Sequence, residues 1–155
     1  MGKAFLVIRM KGTINVPHWA NTTLDLLNLD KRFRATILPE RDNTKGMLDK
    51  IKHYVSWQEI DISTAKELLE KRSRKEGYRK LTSEDIEKLG FKNTDELAKS
   101  LADGTVALSK LKPLKPWFAL SPPRHGFKRS TKKMYGEGGI LGNHKGLLTQ
   151  VKMMI

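Results

Sequence analysis

The chain contains no cysteine. Disulfides, thiolate zinc centres and iron–sulfur clusters are therefore excluded, and the reducing cytosol is the default compartment. No run of about 18 apolar residues occurs, so no membrane-crossing helix is expected. The apolar stretch Ala4–Ile8 is too short for the core of a signal peptide, and neither end carries a lipidation pattern. The histidines at 18, 53, 125 and 144 lack zinc-helix spacing, and no Gly-x-Ser-x-Gly elbow is present. No catalytic residue, metal site, cofactor, membrane partner or small-molecule substrate is expected, and hence no enzyme. Acidic residues are also scarce: 17 Asp and Glu face 30 Lys and Arg, a formal net charge of +13. A chain this basic fits a polyanionic partner, nucleic acid first.

The imbalance is local. Residues 1–60 hold 10 Lys and Arg against 6 Asp and Glu, and residues 61–112 hold 12 against 10. Residues 113–155 hold 8 against a single acid, Glu137. Within Leu111–Gly146 the basic residues are mixed with aromatics, prolines and glycines, which build little core alone. Arg124, Lys128, Arg129, Lys132 and Lys133 suit phosphate contact, with His125 and Phe127 available to stack on bases. Gly136–Gly146 fails the phosphate-loop template, because Asn143 and His144 precede Lys145 and Gly146 follows it. Its backbone amides can still cradle phosphate; a plain flexible loop is an equal reading.

Along the chain, Ala4–Met10 reads as a buried central strand and Lys11–Val16 as a basic loop. Pro17 opens an amphipathic helix to Asn28. Trp19, Ala20, Thr23, Leu24, Leu26 and Leu27 share its apolar arc, so Trp19 is expected to pack rather than stack on RNA with His18. Arg32–Pro39 alternates as a second strand. Asp42–Thr44 offers capping chemistry for a helix over 45–55, and Trp57–Ile60 is a short third strand. The expected fold class is α+β: a small β-α-β-α-β core with a three-stranded sheet and two helices on one face. Residues 61–112 read as a helical insertion, with starts at Thr64–Glu67, Thr82–Asp85 and Asn93–Glu96. Arg72–Gly77 is too charged for a core and reads as a loop. Residues 113–155 form a basic extension. In it Trp117–Leu120 is an edge strand, Met134–Leu141 an irregular loop, and Leu147–Ile155 a strand or half-helix returning to the core.

Several stretches carry a family likeness: Phe5–Val16, Thr23–Leu29, Lys45–Ile60, Lys115–Phe127 and Gly138–Gly142. Together they resemble the archaeal form of the large-subunit ribosomal protein thirty family, whose eukaryotic members are numbered seven. Two positions depart from its pattern: Gln58, where glycine is expected, and Phe33, where a more polar turn is expected. The resemblance implies a ferredoxin-like core and a structural place in the large (50S) ribosomal subunit, in the cytoplasm. It implies large-subunit ribosomal RNA as partner, with 5S RNA and neighbouring ribosomal proteins as further candidates. Arg32, Arg34, Arg41, Lys45 and Lys52 on the core, and Lys115, Arg124, His125, Lys128, Arg129, Lys132, Lys133 and Lys145 beyond it, are the candidate RNA-binding residues. Deleting residues 121–146 is expected to weaken RNA binding while residues 1–60 stay folded. Two alternatives stay open: a nucleic-acid-binding regulator outside the ribosome and, remotely, a phosphate-ester enzyme using the glycine-rich loop.

Overall fold

The structure is a computed structural model that describes residues 3–111 and 114–155. The expected junction between insertion and extension, at Lys112 and Pro113, lies outside the described residues. The chain is α+β. β1 (Ala4–Arg9) is apolar on both sides, which fits a strand covered on both faces. It pairs antiparallel with β2 (Arg34–Pro39) and β3 (Val55–Glu59), placing Val7 opposite Thr36 and Trp57. α1 (His18–Leu26) and α2 (Asp42–Lys50) cover the Val7 face, where Ala20, Leu24, Leu48, Ile51 and Val55 are buried with it.

Two details of this half differ from expectation. Trp19 is 47% exposed and Leu26 is 69% exposed. The nine-residue helix turns only Ala20, Thr23 and Leu24 into the core, so the outer residues of the apolar arc reach water. α2 runs over 42–50 rather than 45–55, and Val55 opens β3. Val55 is β-branched and faces the Arg9 backbone across the ladder, a setting that favours strand over helix.

The insertion covers the opposite face. α3 (Ile62–Lys71), α4 (Ser83–Lys88) and α5 (Thr94–Ala102) include a small antiparallel hairpin, β4 (Arg74–Lys75) and β5 (Arg79–Lys80), where a loop is expected. Leu68, Leu69, Leu97 and Leu101 pack with Leu6, Ile8 and Ile37. The cap of α3 is Asp61, whose carboxylate accepts from the Thr64 N–H at 2.7 Å, rather than Thr64 itself. The capping box expected at Thr64–Glu67 is found instead at Thr82–Asp85, where a helix start is expected, and Lys75 Nζ reaches Asp85 at 2.9 Å. That ammonium, with the Thr82 donors, holds the Asp85 carboxyl far below the usual carboxylate range.

The extension is woven into the sheet. β6 (Phe118–Ala119) adds to β2, and β8 (Gly139–Asn143) adds to β3 in parallel, with β7 (Ser130–Met134) outside it. Among the described residues the sheet has six strands, in the order β6-β2-β1-β3-β8-β7, rather than three. The glycine-rich stretch expected as an irregular loop is largely β8. Its glycines answer close approach: a Cβ on Gly139 would run into the Lys133 carbonyl, and Gly142 adopts φ +84°. α6 (Leu147–Met154) then buries Leu147, Val151 and Met154. With Phe118 these four side chains contribute on the order of 6–12 kcal/mol of gross burial, enough to offset part of the ordering entropy of the tail.

Candidate nucleic-acid interface

Strand direction decides which loops meet. β1 is antiparallel to β2 and β3, so the end of β1 lies beside the starts of β2 and β3. β8 runs parallel to β3, and β7 parallel to β8, so their starts lie at the same end. That end gathers the 11–16 loop, residues 31–33, Tyr54 and the tail from 120 to 139. A groove there is lined by Lys11, Ile14, Arg32, Tyr54, Thr131 and Lys132, among others.

Buried Arg9 pins the loop that forms one wall. It is 1% exposed and donates through Nη1 to the Leu29 carbonyl at 2.8 Å, Nε to Lys11 at 2.9 Å and Nη2 to Gly12 at 3.1 Å. Three carbonyls replace its water shell, and burial lowers its pKa from the ordinary arginine value. The loop it pins carries Ile14, 85% exposed. Lys11 sits over the Tyr54 ring at 5.8 Å, and Lys50 at the same distance from the Trp19 ring. Trp19, Ile14 and Lys11 are thus surface groups that sequence periodicity assigned to packing or left as loop.

The candidate residues do not form one patch. Arg32 lies in the groove, donating from Nε to the Met10 carbonyl at 3.0 Å. Lys52 sits in the turn between α2 and β3, at the same end of the sheet. Arg41 and Lys45 lie at the opposite end, where Lys45 pairs with Glu40 at 3.0 Å. Arg34 is half-buried between Asp30, to which it is paired, and Trp117, 3.8 Å from its guanidinium carbon. Lys115 also covers Trp117, at 5.1 Å.

Arg124, His125, Lys128, Lys132, Lys133 and Lys145 are exposed. Arg129 is exposed but folds over the Tyr135 ring at 4.3 Å and donates to the Tyr135 carbonyl at 2.7 Å. Among the described residues no ion pair involves any basic side chain of the 114–155 segment.

The profile of the family described as Ribosomal protein L30p/L7e matches residues 5–55. Over all 155 residues, and over the whole of both chains, the sequence is 56% identical to large ribosomal subunit protein uL30 of Nitrosopumilus maritimus (strain SCM1). It is 57% identical, again end to end, to that of Cenarchaeum symbiosum (strain A). The chain belongs to the uL30 family of ribosomal proteins. A more distant member, from Staphylothermus marinus, is 43% identical over 148 residues and covers 92% of this chain and 91% of its own. These relatives are named as ribosomal proteins and not as enzymes, in accord with the lack of catalytic motifs. Among the described residues no helix is long and apolar enough to cross a membrane.

Both positions that depart from the expected uL30 pattern grip the tail. Gln58 Oε1 accepts from the Leu148 N–H at 3.1 Å, in the first turn of α6. Phe33, at φ +63°, stacks on Phe127 with ring centroids 6.0 Å apart, and its carbonyl accepts from the Leu120 N–H at 3.1 Å. Arg72 of the insertion adds hydrogen bonds to the Ala119 carbonyl at 3.2 Å and Ser121 Oγ at 3.0 Å. The tail is therefore anchored, while none of its cations enters an ion pair among the described residues.

Proposed function

We propose that this protein is a structural constituent of the large ribosomal subunit that binds and stabilises ribosomal RNA. Residues 1–60 act as a ferredoxin-like core, 61–112 as a helical cover for its second face, and 113–155 as the RNA-facing extension. The observation that carries this reading is that the exposed cations between Arg124 and Lys145 form no ion pair among the described residues, on a tail tied into the sheet. Phosphate backbones supply the missing charge, and counterion release supplies most of the affinity. Arg32, Lys128, Lys132 and Lys133 contact phosphates around the groove, with Lys11 beside them. Trp19 and Ile14 meet bases or sugars, which are read by stacking and shape. Neighbouring ribosomal proteins and the 5S RNA are further candidate contacts.

The test is sedimentation of an epitope-tagged chain in its own cells. The intact chain is expected with large subunits on a sucrose gradient, and a chain with Lys128, Arg129, Lys132 and Lys133 all changed to Ser mainly at the top. Intact chain at the top of the gradient contradicts the proposal. Side-chain replacement is the right instrument, because deletion of 121–146 would remove β8 from its pairing with β3 and Ile140 and Leu141 from the core.

A further inference from the structure

The hairpin of the insertion carries chemistry that the groove does not use. Its turn holds Gly77 at φ +78° and Tyr78 at φ +60°, a region tyrosine rarely adopts. The result is an aromatic ring 54% exposed on a highly charged turn. The Arg74 guanidinium lies 5.5 Å from that ring, and Trp117 lies 6.4 Å from it, centroid to centroid. Trp117 is itself flanked by Arg34 and Lys115. Cation and π system thus alternate along one surface. Arg79 and Lys80 next to it are exposed and make no ion pair among the described residues. The nearby acids Asp30 and Asp85 are already paired with Arg34 and Lys75; Glu76 is the one acid of the turn.

This surface is remote from Lys132 and Lys133. Trp117 adjoins β6 at one edge of the sheet, whereas Lys132 and Lys133 lie on β7 at the other. Five strand spacings separate those edges, roughly 24 Å.

We infer that the β4–β5 hairpin and Trp117 form a second RNA-binding surface, which stacks an unpaired nucleotide on Tyr78, beside Trp117 and its two cations. The protein thereby ties together two RNA segments, one at each sheet edge. The inference rests on the ribosomal RNA reading above. Aromatic faces flanked by cations are what a single-stranded stretch requires: a π surface for each base and charge for the phosphate between.

The test uses the full chain against deproteinised large-subunit ribosomal RNA and against a twelve-uridine oligonucleotide. Tyr78→Gly removes the ring while glycine accepts the turn's φ. A second variant combines Arg79→Ser and Lys80→Ser. With unchanged thermal midpoints, Tyr78→Gly is expected to weaken oligonucleotide binding about tenfold at one salt concentration, and the double variant to flatten the salt dependence. Chemical footprints on the large RNA are expected to lose protection at unpaired positions distinct from those lost when Lys132 and Lys133 become Ser.

If both hairpin variants bind and footprint like the parent while the Lys132/Lys133 variant is weakened, the second surface is refuted and the ribosomal RNA reading survives. If the parent itself binds neither RNA, that reading falls and the inference with it. Binding of a twelve-residue polyglutamate peptide that depends on Tyr78 and exceeds oligonucleotide binding would make the surface a protein contact and overturn the inference.

Discussion

The insertion and the tail both bring basic residues to the molecule and, the β4–β5 hairpin with its unpaired Arg79 and Lys80 apart, they use them in opposite ways. The insertion sets 12 Lys and Arg against 10 acids. Lys66 meets Asp95 at 2.7 Å, and Lys75 meets Asp85 at 2.9 Å. The tail sets 8 against one and holds its backbone by sheet pairing and α6 burial; among the described residues its cations form no ion pair, although Lys152 lies close enough to Asp61 to lower its pKa. Similar content of positive charge therefore does not mean similar function. Charge answered within the fold serves solubility and helix ends; unanswered charge on an anchored backbone is a docking surface.

The largest effect expected comes from attacking the anchor. Gly139→Ala forces a Cβ into the Lys133 backbone and should cost about 3 kcal/mol or more in urea unfolding, with β7 and β8 losing hydrogen-exchange protection first. A cost below about 1 kcal/mol would mean the tail is not rooted as described. Arg9→Met keeps the stem and removes three charge-assisted hydrogen bonds; a loss of about 3 kcal/mol is expected, with exchange rising at the 11–16 loop. Unaltered exchange there would show that the loop does not depend on Arg9.

Trp19→Ala separates surface from core: stability should move by no more than about 0.5 kcal/mol, while RNA affinity drops about tenfold with the salt slope unchanged. A large stability loss would return Trp19 to the core. The smallest effect is a pH response. Burial, reinforced by the Arg129 charge, holds His144 below its ordinary value. As pH falls below about 6.5 the unfolded chain gains the proton first, so the contribution of His144 is complete above that pH and declines beneath it. The thermal midpoint of the parent should fall more between pH 7 and 5 than that of His144→Gln; parallel curves would remove His144 from the account.

Much of the first half was readable in sequence because it depends on neighbours in the chain. The apolar run of β1 and the alternation around Ala35 and Ile37 are local signals. Tail architecture was less readable, since β8 is specified by pairing with β3 over 80 residues away. Glycines that look like loop residues are there to admit another backbone at that contact. Trp19 is exposed for a related reason: periodicity reports which side of a helix is apolar, while the way the helix seats on its neighbours decides how much of that side is covered. The candidate cations were found from composition alone. Their division between two ends, and the internal pairing of Arg34 and Lys45, required the strand order.

The most direct measurement is the salt dependence of binding to deproteinised large-subunit RNA for three chains: the parent, one with Lys128, Arg129, Lys132 and Lys133 changed to Ser, and one with Lys66 and Lys99 of the insertion changed to Ser. The account predicts that the tail variant lowers the slope of log affinity against log salt by roughly 3, and that the insertion variant leaves it unaltered. Equal slopes for the parent and the tail variant would contradict it.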